Sequence, residues 1–172
     1  KLTRDVSPVI IKNGYKIKLK KPLDFYAVTD HAVFLGLLKE SADTSTEFSK
    51  YELSNPMHDL YKTVSNSIFS ILKRNGLFRA FGAELAAGVE DGSIDRDIIQ
   101  NVGNSVWKKT IKAANDAYKP GIFTTFAGYE FTSSIELYDK YLHRNVIFKD
   151  TNNLPERIFS RADSLDPEKL WD

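Results

Sequence analysis

The feature that most constrains this chain is the apolar run Leu23-Asp24-Phe25-Tyr26-Ala27-Val28, which follows Pro22 and stops abruptly on Thr29-Asp30-His31. A short aromatic and β-branched run bounded by polar residues predicts a buried strand. A strand that ends on a carboxylate and an imidazole puts both at a sheet edge, where α/β folds build their sites. Asp and His are both ordinary ligands of divalent transition metals, so a metal centre is the first chemistry to test. A lone Asp-His pair is more often a capping or hydrogen-bonding pair than a metal centre. Further ligands have to come from elsewhere in the chain.

Two later segments supply them. Ile122 to Phe131 has strand chemistry in Phe123, Thr124, Thr125, Phe126 and Tyr129, with Gly128 breaking the run just before Glu130. A carboxylate at the end of an apolar strand is costly unless it meets a cation or is well hydrogen-bonded. After a polar stretch from Thr132 to Lys140, predicted as loop, His143-Arg144 opens the apolar run Asn145-Val146-Ile147-Phe148. Predicted strands therefore span 23–28, 122–130 and 144–149, each with His or Glu at one end. His31, Glu130 and His143, with Asp30 as a fourth candidate, offer nitrogen and oxygen ligands from separate strands. Such a set suits a hydrolytic centre of two or three ions better than a structural zinc site, which prefers cysteines or closely spaced ligands. Arg144 is placed to hold an anionic group by paired hydrogen bonds. Two plainer readings stay open: Glu130 paired structurally with Arg144, and His143 as a core histidine.

The intervening region reads as helical. Asn55-Pro56 supplies a cap and first turn for a helix whose apolar positions are Met57, Leu60, Tyr61, Val64, Ile68, Ile71 and Leu72, ended by Asn75-Gly76. His58 falls on that helix as a surface residue. Leu77, Phe78, Phe81 and Leu85 predict a second, short helix closed by Gly88 and Gly92. A third starts from a Ser93 cap and runs through Ile94, Ile98, Val102, Val106, Ile111 and Ala114 to Lys119-Pro120-Gly121, with Trp107 and Tyr118 on its apolar surface. Phe34 to Leu38 is expected as a short helix or loop, and Ser41 to Ser54 as loop. At the N-terminus, Tyr15, Ile17 and Leu19 alternate with Lys16, Lys18 and Lys20, the period of a half-buried or edge strand, and Asn13-Gly14 marks a turn. Near the C-terminus, Asp166-Pro167 reads as a cap and first helical position. The helix it opens is so short that the parent sequence is expected to continue.

Composition excludes several classes. The chain has 172 residues, 42% of them apolar, and a net charge of +1, which suits one domain and gives no reason to expect nucleic acid or a membrane surface as partner. No window holds eighteen consecutive apolar residues. With no cysteine, disulfides, thiolate metal sites and cysteine nucleophiles are excluded.

Several stretches carry a resemblance. They are Asn13-Gly14-Tyr15; Lys21-Pro22-Leu23-Asp24-Phe25-Tyr26-Ala27-Val28-Thr29-Asp30-His31-Ala32 with Phe34-Leu35-Gly36; Trp107; Ala113-Ala114 to Ala117-Tyr118; and Pro120-Gly121. Phe123-Thr124-Thr125-Phe126-Ala127-Gly128-Tyr129-Glu130-Phe131-Thr132-Ser133, Leu142-His143-Arg144-Asn145-Val146-Ile147-Phe148 and Asp166-Pro167-Glu168-Lys169-Leu170-Trp171 complete the series. In that order they resemble an inner segment of the family catalogued as domain of unknown function 3604, which is itself similar to the PHP superfamily of polymerase and histidinol phosphatase domains. Residues from about Lys39 to Ser105 carry no matching motif.

The resemblance implies an α/β fold, part of a PHP-like (β/α)7 barrel, as a single domain over 1–172 with a mostly helical insertion at about 39–118. It implies two or three divalent ions, zinc, manganese or iron, and hydrolysis of a small-molecule phosphoester by a metal-bound hydroxide. His31, Glu130 and His143 would be metal ligands. Asp30 would be a ligand or would orient an imidazole, and Arg144 would stabilise developing charge. The superfamily opens with a strand carrying His-x-His, whereas His31 is the first of only three histidines here. The chain is thus expected to be an internal portion that holds part of the site, inactive in isolation. The rival expectation is a non-catalytic binding or scaffold domain derived from that fold. A nucleic-acid module built on Lys12, Lys16, Lys18, Lys20 and Lys21 is disfavoured by the near-neutral charge.

Overall fold

The structure, a computed structural model, describes residues 9–10, 16–17, 19–58, 68–135, 140–164 and 166–172. It is a mixed helix and sheet fold with two compact units. One comprises Lys1–Ile11, Lys16–Leu35 and Gly103–Asp172, and the other Lys12–Tyr15 and Gly36–Val102. Expectations for Asn13-Gly14, Tyr15, Lys18 and residues 59–67 lie outside the described residues.

Among the described residues the first unit holds six strands in three pairs. β1 (Val9–Ile10) runs antiparallel to β2 (Lys16–Ile17), with Val9 opposite Ile17. β3 (Phe25–Ala27) runs parallel to β4 (Thr124–Phe126), Phe25 facing Thr124 and Ala27 facing Phe126. β5 (Gly128–Ile135) and β6 (Lys140–Ile147) form an antiparallel hairpin from the pair Gly128 and Ile147 to the pair Ile135 and Lys140. Among the described residues no closed barrel is present.

Three predictions for this unit are corrected. The run 122–130 is two strands, because the chain breaks at Ala127 and changes partner from β3 to β6. The polar stretch after Thr132 continues β5 to Ile135, since backbone pairing with β6 outweighs its low β propensity. Leu23–Val28 does contain a strand, but Phe25 is 67% and Tyr26 42% exposed, so it is not buried. β3 has β4 on one edge, and its aromatic side chains stay open to solvent.

The core of the first unit is Ala32, Leu35, Trp107, Ala127, Tyr129, Phe131 and Ile158, flanked by Val106, Ile111, Val146, Phe148 and Phe159. Trp107 meets Tyr129 edge to face at 5.9 Å between ring centroids, and Phe131 stacks on Phe159 at 6.0 Å. The Trp107 indole donates to the Pro155 carbonyl at 2.9 Å, which satisfies its one polar atom. Burial pushes the Tyr129 phenol above its ordinary pKa; the Asp163 carboxylate adds to this, and a hydrogen bond to the Phe159 backbone opposes it.

The second unit contains α1 (Leu37–Ala42), α2 (Ile68–Glu90) and 3-10 turns at Phe48–Lys50 and Glu52–Met57. Gly36 enters α1 at φ 82°, a left-handed conformation that glycine adopts without a Cβ penalty. Its buried apolar residues include Leu37, Phe48, Leu53, Met57, Phe81, Leu85 and Ile94, with Phe48 and Phe81 edge to face at 6.4 Å. Ser41–Ser54 is therefore mostly helical turns rather than loop. Asn55-Pro56 lies inside a 3-10 turn and does not open an α-helix. His58 closes that turn half-buried, its Nε2 3.1 Å from the Ser49 carbonyl oxygen, and is not a surface helix residue.

α2 runs unbroken through Asn75-Gly76, so the two predicted helices join. A glycine inside a helix costs about 1 kcal/mol, which burial of Phe81 and Leu85 further along outweighs. Gly88 lies within α2, where the Ile94 side chain occupies the space a Cβ would take. α3 (Arg96–Ala117) contributes Arg96–Val102 to the second unit and Gly103–Ala117 to the first. Its cap is Asp95, whose carboxylate accepts from the Asp97 amide at 2.8 Å; the predicted cap Ser93 instead donates its amide to Asp91. Trp107 is buried as expected, whereas Tyr118, just past the helix end, is 50% exposed. Asp166 caps the 3-10 turn Pro167–Leu170, accepting from the Glu168 amide at 2.9 Å.

Candidate metal centre

The site forms where β3, its following turn and the β5–β6 hairpin meet, all within the first unit. After β3 the chain extends through Thr29 and Asp30, and the Asp30 carbonyl accepts from the Glu130 amide at 2.9 Å. His31 is thereby bridged in parallel to Glu130, continuing the direction of the β3–β4 pairing. Gly128 makes that approach possible: a Cβ there would stand 2.8 Å from the Val146 carbonyl oxygen and 3.2 Å from Thr29 Cγ2.

Strand pleating decides which side chains face His31. Alternate residues of a strand share a face, and directly opposed residues of an antiparallel pair lie on the same side. Glu130 and Thr132 therefore share a face of β5 with Asn145 and His143, their partners on β6. Phe131 and its partner Arg144 lie on the other face, where Phe131 is fully buried.

His31, Glu130 and His143 each offer a ligand atom within 4.8 Å of the other two, and among the described residues they are the only such group. The Glu130 carboxylate spans both imidazoles, with Oε2 3.1 Å from His31 Nδ1 and Oε1 2.8 Å from His143 Nδ1. The two rings stand 5.3 Å apart between centroids and 53° from parallel. Glu130 is 19% exposed, His31 40% and His143 50%, so the carboxylate forms the floor and the imidazoles the rim.

This donor set fits a divalent cation. Zinc bonds of about 2.0–2.2 Å to nitrogen and oxygen put two ligands of one ion roughly 3–3.5 Å apart, close to the observed nitrogen–carboxylate separations. Two imidazoles and one carboxylate also match the pattern of catalytic sites, which keep a coordination position open, rather than closed structural sites.

The other two predicted site residues are not in this group. Asp30 joins through its backbone carbonyl, and its side chain is on an exposed residue. Arg144 is exposed and on the opposite face of the hairpin, although it follows His143 directly in sequence. Nor does His143 sit in the core.

One participant was missed. The Thr132 hydroxyl lies 2.8 Å from His31 Nδ1 and 3.2 Å from His143 Nδ1, on a residue only 7% exposed. Its signal was present in sequence as a polar residue two positions after Glu130, hence on the same strand face. Placing that stretch in a loop concealed it.

Comparison with known proteins gives a family. A family model described as protein of unknown function (DUF3604) matches residues 6–172. No curated protein and no solved structure matches the chain.

Proposed function

The chain belongs to the DUF3604 family, and from that premise we propose that it forms part of a metal-dependent hydrolase of the PHP type, acting on a phosphoester. The observation that carries this reading is the convergence of His31, Glu130 and His143 from two separate strand systems onto one point. Two imidazoles and a carboxylate without any cation are a poor reason for three chain segments to meet at a solvent-accessible edge. As ligands of a cation they have one.

In this reading His31 and His143 bind through nitrogen and Glu130 through its carboxylate, and a bound zinc, manganese or iron ion supplies Lewis acidity for ester hydrolysis. Glu130 reaches both imidazoles, so it holds their relative spacing. Asp30 orients the site through the backbone bond that fixes Glu130 beside it. Arg144 lies on the opposite face of the hairpin from these ligands. The wider architecture is a PHP-like barrel, with the parallel β3–β4 pair as one portion and the site at the ends of its strands. A small-molecule phosphoester is the substrate, and the full set of two or three ions draws on ligands beyond this trio.

The test is metal binding by the full 172-residue chain. Titration with Zn²⁺ or Mn²⁺, followed by calorimetry and elemental analysis, is expected to show stoichiometric binding that is lost in His31→Ala, Glu130→Ala and His143→Ala. Hydrolysis of an activated phosphoester by a longer chain should follow metal loading. Binding that is absent, or indifferent to all three substitutions, refutes the hydrolase reading in favour of a non-catalytic domain.

A further inference from the structure

We propose that Thr132 is the positioning residue of this centre, and that its hydroxyl sets which edge of both imidazoles faces Glu130. The proposal rests on the reading of His31, Glu130 and His143 as a metal centre, and it adds a residue that binds no metal itself.

The argument starts from ring symmetry. An imidazole can be rotated half a turn about Cβ–Cγ with little change in shape, which exchanges the positions of its ring nitrogen and carbon atoms. Packing alone therefore does not choose the edge presented to a neighbour; hydrogen bonds do. Here both rings present Nδ1 inward, and both Nδ1 atoms meet the same two partners, the Glu130 carboxylate and the Thr132 hydroxyl.

Those two partners are not equivalent. An ionised carboxylate only accepts, whereas a hydroxyl both accepts and donates. Both Nδ1 atoms lie against the acceptor-only carboxylate, so both carry hydrogen, and the Thr132 oxygen accepts from each. Because the hydroxyl can turn from acceptor to donor, it still favours the inward nitrogen edge when one Nδ1 gives up its hydrogen.

Its placement suits the task. Thr132 is buried, lies directly opposite His143 across the hairpin and shares a strand face with Glu130. Being β-branched, it has few accessible rotamers, so the hydroxyl is held in place before any cation arrives.

The experiment compares Thr132→Val, Thr132→Ala and Thr132→Ser in the full chain. Zn²⁺ affinity is measured by calorimetry, and imidazole ¹⁵N shifts of the metal-free protein report tautomer and edge. His58, in the other unit, serves as the internal reference. Loss of the hydroxyl in the Val and Ala variants is expected to weaken Zn²⁺ binding by about 2–4-fold, because each ring freed to present either edge holds its nitrogen inward about half the time. It should also change the nitrogen shifts of His31 and His143 while leaving those of His58 in place. Thr132→Ser should restore both to the parent's values. Unchanged shifts in the Val and Ala variants, or no recovery in the Ser variant, overturn the proposal even if affinity falls, because packing alone would then explain the loss. A parent chain that binds no Zn²⁺ defeats the metal reading instead, and the metal-free shifts still decide whether Thr132 orients the two rings.

Discussion

Gly128→Ala tests whether the close approach beneath the site is as tight as it looks. The added methyl would stand 2.8 Å from the Val146 carbonyl oxygen, where ordinary contact begins near 3.4 Å, so one strand has to retreat by about 0.6 Å. That oxygen belongs to backbone and cannot swing aside as a side chain would. Overpacking of this kind costs about 1–3 kcal/mol. The lower entropy of alanine in the unfolded chain returns about 0.4–1 kcal/mol, because φ at Gly128 is not in the left-handed region and alanine can adopt it. The net expectation is a loss centred on about 1.3 kcal/mol, or roughly 3–5 °C in Tm for a chain of this length. Differential scanning calorimetry measures the shift, and fluorescence of Trp107, buried in the same unit, locates it. Gly76→Ala is the control: nothing lies within 4 Å of its Cβ position inside α2, so it should stabilise by about 1 kcal/mol. A Gly128→Ala protein as stable as the parent would refute the argument that backbone approach requires glycine there.

Two further outcomes follow from the structure. Asp95→Ala should destabilise the chain by about 0.5–2 kcal/mol in urea unfolding, while Ser93→Ala should cost less, since Asp95 caps α3. Equal losses would restore Ser93 as the cap. Tyr129, with a folded pKa raised above 10.0, contributes stability that is fully present below the unfolded value and is lost as pH rises through the folded one. Urea unfolding between about pH 8 and 11 should therefore show a steeper alkaline loss in the parent than in Tyr129→Phe, and parallel profiles would show that burial does not hold the phenol neutral.

The ligands were legible in sequence because each bounds or interrupts an apolar run, and a polar group there needs a partner. His31, Glu130 and His143 stood out for that reason, and all three converge. Arg144 misled because adjacency in sequence suggests adjacency in space, whereas on a strand the next residue faces the other way. Thr132 escaped because Thr132 to Lys140 is polar and reads as loop. What makes its first half a strand is pairing with residues 5 to 11 positions later, which no local propensity records. The same holds for helix limits. Asn75-Gly76 is a sound stop signal, but a stop signal worth about 1 kcal/mol yields to a core that includes Phe81 and Leu85.

The sequence by itself determined the chemistry on offer: nitrogen and oxygen ligands, no thiolates, a mixed helix and strand pattern, and the family to which the chain belongs. Only the tertiary structure decided which of those groups act together. Hairpin register put Glu130, Thr132 and His143 on one face and Arg144 on the other, and the Asp30–Glu130 backbone bond brought His31 to them. The physical reason is that composition and periodicity are properties of neighbours along the chain, while a metal centre depends on distances between segments a hundred residues apart. Those distances are set by long-range strand pairing and by where a glycine allows two backbones to meet.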